Sequence, residues 1–255
     1  MKITGWPVTD VGRKREHNED SFLCNDELGL YAVADGMGGH LGGERASRMA
    51  VEILEREVQA RLPPGGPTRP AETVSQALRD STGLASRAIF ESAQGDPEHA
   101  GMGTTLTALY FHDSMLTVCH VGDSRAYLYR DGRARQLTED HSWIQEQVRA
   151  GLLSPDDALV SRFRNIITRS VGFEPAVSPD IITVPVETGD CFMVCSDGLS
   201  NYVSTEELGR VLSGHFYAEA GSALVGIAND RGGDDNITCV LVYVANTLPG
   251  GPPAP

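Results

Sequence analysis

Apolar runs at about 105–111, 115–121 and 125–130 are separated only by tight turns at His112-Asp113 and Gly122-Asp123-Ser124, and Asp131-Gly132 follows the third run. Gaps this short cannot hold the crossover that parallel neighbours need, so this stretch must fold as an antiparallel meander. Further β-type runs lie near 20–24, 29–34, 181–186, 191–196 and 237–244. Helical periodicity occupies about 43–61, 70–93, 142–150, 204–213 and 217–229. The first of these shows Ala46, Met49, Ala50, Ile53, Leu54 and Val58 on one face, and Ser204-Thr-Glu-Glu207 reads as a capping box. Strands in the middle with helices in pairs outside predict an α+β fold: a central antiparallel β-sandwich flanked by helix pairs on both faces, four αββα layers in all.

No repeat of solenoid or propeller length is present. Residues 1–245 are expected to form one domain, with a loop at Leu62–Pro70 and a disordered Pro/Gly-rich tail over 246–255. The stretch from about 142 to 180 is less regular, with one short helix, a Pro155-Asp-Asp turn and Gly172-Phe-Glu-Pro175. An irregular segment of this length is expected to be a flap or lid.

Charge narrows the function. The 255 residues carry 21 Lys plus Arg against 35 Asp plus Glu, a net charge of -14, which argues against nucleic acid and against an anionic membrane surface. No apolar run approaches the roughly 20 residues that span a bilayer. Met1 to Asp10 does not read as a secretory signal, so a cytoplasmic chain is expected. Cys24, Cys119, Cys191, Cys195 and Cys239 are odd in number and lack close Cys-x-x-Cys pairs, which predicts reduced, packed thiols.

The acids are the informative residues. Asp35 ends the run Leu30–Ala34 and precedes Gly36; Asp197 ends the run Phe192–Ser196 and precedes Gly198. Asp235 directly precedes the last strand, and Asp123 sits in a turn between two strands. Each is expected just beyond a strand end, where a rigid sheet can hold it against the others. A single Asp-Gly pair is ordinarily a turn, and Asp131-Gly132 is read as one. Four acids in like settings point to a site instead. Gathered carboxylates repel unless cations neutralise them, and all-oxygen ligation suits Mg²⁺ or Mn²⁺. Two such ions can activate a shared water for attack on a phosphoryl group. Arg15, with Glu19 and Asp20 close behind it, supplies a guanidinium for phosphate.

Competing motifs fail. Gly36-Met-Gly-Gly-His-Leu-Gly-Gly43 lacks the spacing and Lys of a P-loop, and Val194-Cys-Ser-Asp-Gly198 lacks the first Gly of a nucleophile elbow. His40, His120 and His141 stand singly in the sequence and read as structural residues.

Taken together, the motifs resemble the metal-dependent Ser/Thr protein phosphatases (the PPM, or type 2C, family), most closely the compact bacterial branch. The resemblance runs in order through Gly12-Arg-Lys-Arg-Glu-His-Asn-Glu-Asp20, Asp35-Gly-Met-Gly-Gly-His40, Gly103-Thr-Thr105, Val121-Gly-Asp-Ser-Arg125, Ser196-Asp-Gly-Leu199 and Gly233-Asp-Asp-Asn236. It implies that Asp35, Asp197 and Asp235, with the Gly36 carbonyl, ligate two Mn²⁺ or Mg²⁺ ions, and that Asp123 joins Asp197 at a third. It implies that Arg15 binds phosphate, that Glu19 and Asp20 contact metal-bound water, and that Asn236 supports Asp235. Met37 stands where eukaryotic members carry the His proposed as general acid, and that role does not transfer to His40.

The function implied is hydrolysis of phosphoserine and phosphothreonine in proteins by direct attack of a metal-bridging hydroxide, opposing bacterial Ser/Thr kinases. The partners implied are phosphorylated proteins, including a Ser/Thr kinase or its substrates, with the phosphatase itself a monomer. The rival readings are a catalytically silent phosphatase-like binding or sensing domain, a phosphatase dedicated to an anti-sigma-factor antagonist, and a plain acidic cation-binding protein.

Overall fold

The computed structural model describes residues 2–38, 42–65, 68–95, 99–154, 163 and 166–245. The three expected runs form β5 (Leu106–His112), β6 (Met115–Val121) and β7 (Arg125–Arg130), and a further strand, β8 (Arg133–Gln136), follows them. The turns that join them use left-handed backbone where the sequence placed turn residues: Asp113 and Ser114 have φ of 43° and 63°, and Asp131 and Gly132 have 51° and 76°.

The meander does not stay in one sheet. One sheet orders its strands β1-β11-β10-β7-β8, where β1 is Lys2–Asp10, β10 is Cys191–Cys195 and β11 is Ile237–Ala245. The other orders β2-β3-β5-β6-β9, where β2 is Asp20–Asn25, β3 is Leu30–Met37 and β9 is Asp180–Pro185, with β4 (Gly103–Thr104) paired to β3. All pairings are antiparallel. The chain therefore crosses from the second sheet to the first within Gly122–Ser124.

The sheets stack face to face on Tyr31, Val33, Leu109, Phe111, Phe192, Val194, Val240 and Val242, all buried. Helices α1 (Gly42–Arg61) and α2 (Ala71–Gly95) cover the outer face of the second sheet through Leu54, Val58, Leu78 and Ile89. Helices α5 (Thr205–Gly214) and α6 (Tyr217–Asp230) cover the first through Leu208, Leu212, Leu224 and Ala228. Two shorter helices, α3 (Trp143–Arg149) and α4 (Asp197–Ser200), complete the set. The side-chain oxygen of Ser204 caps α5 as the sequence suggested, and that of Ser142 caps α3. This is the four-layer α+β arrangement expected.

Three expectations need correcting. Strands β1 and β8 were not expected. Strand β1 contains Gly5 and Pro7, and β8 reads Arg-Ala-Arg-Gln; both lie at sheet edges, where Pro and charge are tolerated. Strand β3 does not stop before Asp35 but runs to Met37, because β4 pairs with its last two residues. Finally, the runs at 105–130 are not one meander, since β6 pairs with β5 and β9 while β7 pairs with β10 and β8. Pro155, Ser161, Arg164 and His40, like the 246–255 tail, lie outside the described residues.

All five cysteines are free; four are buried, and Cys191 and Cys195 lie on one face of β10 in the core beneath α5 and α6, as expected. Among the described residues no helix is long and apolar enough to cross a membrane.

Candidate metal centre

The predicted acids meet at one end of the sandwich, and strand register explains how. Asp20 and Asp35 are direct cross-strand partners on β2 and β3. Cys195 pairs with Arg125, so Asp197 and Asp123, each two residues beyond that pair, are brought side by side at the ends of β10 and β7. Asp235 lies two residues before β11, with Asn236 between, and Ser196 ties the two sheets together by donating from Oγ to Asp20 Oδ2 at 2.8 Å.

Neither Asp35-Gly36 nor Asp197-Gly198 is a left-handed turn, unlike Asp131-Gly132. Asp35 and Gly36 lie inside a strand, and Asp197 opens α4. The glycine after Asp197 serves close approach instead: a Cβ on Gly198 would stand 2.0 Å from the Asn236 carbonyl oxygen, so only glycine lets α4 reach the start of β11.

Each acid is held by backbone or side-chain partners that leave its carboxyl toward its neighbours. The Asp35 backbone N–H donates to Thr105 Oγ1 at 2.9 Å, and its C=O accepts from Thr105 N and Thr104 Oγ1. Asp197 Oδ2 accepts from Asn201 Nδ2 at 3.0 Å, one helical turn on. Arg15 Nη2 donates to Asp235 Oδ2 at 2.8 Å. Asn236 does more than expected: its backbone N–H donates to Asp235 Oδ1 at 2.9 Å, while its side chain accepts from Glu19 N and donates to the carbonyls of Val11 and His17. It therefore anchors the whole segment that presents Arg15 and Glu19.

The electrostatics are unfavourable for a purely structural cluster. Like charges directly across a sheet pair destabilise it. Burial first, then the charges of Asp20, Asp197, Asp123 and Asp235, push the Asp35 carboxyl well above the usual carboxylate range. Asp20, Asp123 and Asp197 are raised by burial and by neighbouring acids as well. Burial is also the main cause for Glu19, which the Arg15 charge partly offsets. For Asp197 a contact with the Asp35 side chain partly offsets the rise. Asp20 Oδ1 is buried with no hydrogen-bond partner, an arrangement a folded protein normally avoids.

These features fit hard divalent cations. Among the described residues no group of three or more His, Cys, Asp or Glu side chains stands in an arrangement that would hold a metal ion through those side chains alone. Mg²⁺ and Mn²⁺ do not require one, since they retain waters and accept backbone carbonyls such as that of Gly36. Asp35, Asp197 and Asp235 each keep part of their surface open, whereas Asp123 is buried.

The family model of protein phosphatase 2C matches residues 11–241. The chain belongs to that family. Its similarity to the serine/threonine phosphatase stp of Listeria monocytogenes is 40% identity over 241 residues, covering 92% of this chain and 93% of that one. The 2C-type fold here also superposes on the crystal structure of the serine/threonine phosphatase PstP/Ppp of Mycobacterium tuberculosis with a TM-score of 0.85 and 34% identity, covering 96% and 100% of the two chains. A PstP catalytic domain in complex with two manganese ions matches at a TM-score of 0.82 and 34% identity, covering 96% of this chain and 99% of that one.

Some residues of this 2C-type centre were not assigned roles from the sequence. Thr104, Thr105 and Ser196 stood inside the quoted motifs, but their hydroxyl contacts depend on register. Asn201 was readable, being four residues after Asp197. His141 read as an isolated histidine, yet it lies against the Asp123 turn.

Proposed function

We propose that Asp35, Asp197, Asp235 and the Gly36 carbonyl hold two Mn²⁺ or Mg²⁺ ions, that Asp123 with Asp197 holds a third, and that Arg15 receives the phosphate of a phosphorylated protein. The chain is a protein Ser/Thr phosphatase of the 2C family. Ions held there would supply charge neutralisation and an activated water for in-line attack at phosphorus.

The chain's own residues do the positioning. Arg15 presents a planar fork of donors at the rim, one of them already on Asp235, so phosphate oxygens and the metal acids are held by one side chain. Asn236 fixes the backbone on which that fork and Glu19 are carried. Ser196 holds Asp20 in place across the sheet interface. Residues 1–245 act as one domain in this reading, a cytoplasmic monomer working on proteins phosphorylated by a bacterial Ser/Thr kinase. The observation that carries it is the convergence of Asp20, Asp35, Asp123, Asp197 and Asp235 from both sheets beside Arg15. No feature described above favours a silent binding domain or a dedicated anti-sigma phosphatase.

The test is phosphate release from a phosphothreonine peptide, with Mn²⁺ and with a chelator. Release that requires Mn²⁺ and is lost in Asp197→Asn is expected. Release indifferent to the chelator overturns the reading.

A further inference from the structure

His141 clasps the turn that carries Asp123. Its backbone N–H donates to the Gly122 carbonyl at 2.7 Å, and its ring Nδ1 accepts from the Gly122 N–H at 3.0 Å. Both polar groups of one peptide residue are thus held by one side chain and its own backbone. On the opposite side, Gly122 has φ of +109°, and a Cβ there would stand 2.6 Å from the Thr105 side chain. Thr105 in turn accepts from the Asp35 backbone N–H. The residue before Asp123 is therefore wedged between His141 and the support of Asp35.

The other ring nitrogen faces a different part of the chain. Because Nδ1 accepts, the neutral ring carries its proton on Nε2. Nε2–H donates to Asp180 Oδ2 at 3.1 Å. Arg169 Nη1, 3.1 Å from the same nitrogen, donates to Asp180 Oδ1 at 2.7 Å and to the Ser178 carbonyl at 3.2 Å. The His141 carbonyl accepts from Thr168 N at 2.9 Å. His120, itself bonded to Thr107 and the Glu139 carbonyl, packs against the ring with centroids 4.6 Å apart. A buried imidazole with both nitrogens committed, one to each side, is a rigid coupling between segment 168–180 and the Asp123 turn.

We infer that His141 is a positioning residue: through Gly122 it sets where the Asp123 carboxylate stands, and through its Nε2–H it makes that position depend on the Arg169–Asp180 pair. The inference rests on the proposal that Asp123 holds a cation. Residues one step behind a metal ligand typically change metal affinity about 10–100-fold when removed.

The experiment is a calorimetric Mn²⁺ titration of the full chain, with melting temperature and the Mn²⁺ dependence of phosphate release read alongside. Asp123→Asn is expected to lose the weakest binding step. His141→Gln, which keeps a donor toward Asp180 but no acceptor for Gly122, is expected to weaken that same step about tenfold or more and to shift activity to higher Mn²⁺. His141→Asn, which keeps an acceptor near the Nδ1 position, is expected to retain most of it. Asp180→Ala, at a half-exposed side chain, tests the far end of the coupling without opening the core and is expected to weaken the step less.

If Asp123→Asn titrates like the wild type, the cation assignment falls and the inference falls with it. If Asp123→Asn loses the step but His141→Gln keeps it at full affinity, with only a lower melting temperature, His141 is structural and the inference alone is overturned. Should His141→Gln not fold, an unchanged titration of Asp180→Ala overturns the coupling by itself.

Discussion

Two buried polar groupings share one end of the sandwich, and they are built in opposite ways. In the pair His120 and His141, every ring nitrogen has a partner within about 3 Å. In the neighbouring carboxylates, like charges are stacked across a strand pair, one oxygen of Asp20 has no partner, and Arg15 reaches only the rim. Burial acts on both, and it favours the neutral form in both. The difference is satisfaction. A saturated polar cluster is scaffold, whereas a crowded, under-partnered one carries a cost that charge supplied from outside the chain would relieve.

The sharpest way to break this contrast is Asp197→Asn. It is expected to lower Mn²⁺-dependent phosphate release on the order of 1000-fold while raising the denaturant midpoint of the chelated protein, since one charge leaves the crowd. A variant that is inactive but less stable than the wild type under chelation would mean that the carboxylates were not in conflict.

Next in size is the response to acid. Burial, then the His141 charge, push His120 down to about 4, so its folded value lies below its unfolded one. Its contribution to stability is full above pH about 6.5 and disappears as pH falls toward about 4, a loss of about 3 kcal/mol. The raised carboxylates run the other way, stabilising the chelated protein at low pH and losing that contribution as pH rises through their folded values. Urea midpoints from pH 7 to 4.5 under chelation, wild type against His120→Gln, separate the two. The variant is expected to lose less on acidification, and identical slopes would remove the histidines from the comparison.

Arg15→Ala is expected to lower kcat/KM about 10–100-fold, the worth of a charge-assisted contact to phosphate. Arg15→Lys should recover part of it, since a point charge replaces the fork. A loss confined to Mn²⁺ affinity would reassign Arg15 to holding Asp235. The smallest effect is expected for Ser196→Ala, which leaves Asp20 without its inter-sheet donor and costs about 1–3 kcal/mol of stability, read in the denaturant midpoint, with less than tenfold change in turnover.

What could be read from the sequence divides along the same physical line. The runs of β5, β6 and β7 were legible because the turns between them are local, although the change of sheet after β6 was not. Helices α1 and α5 were legible because a helical face or a cap lies within a few residues. Strand β1 was hidden by Gly5 and Pro7, and β8 by its polar side chains. The acids were legible as a set, but the Asp20–Asp35 pairing was not, because register across β2 and β3 is set by the fold. His141 was least legible of all: its ring partners are Gly122 and Asp180, 19 and 39 residues away, so nothing beside it in the sequence betrays them.

The crossing at Gly122–Ser124 has a mechanical consequence. Asp20 and Asp35 belong to one sheet and Asp197 and Asp235 flank strands of the other, so an ion held by both would act as a rivet through the sandwich. Prising the layers apart would then require releasing the ion, and the free concentration of that ion would set how firmly the two halves unfold as one body.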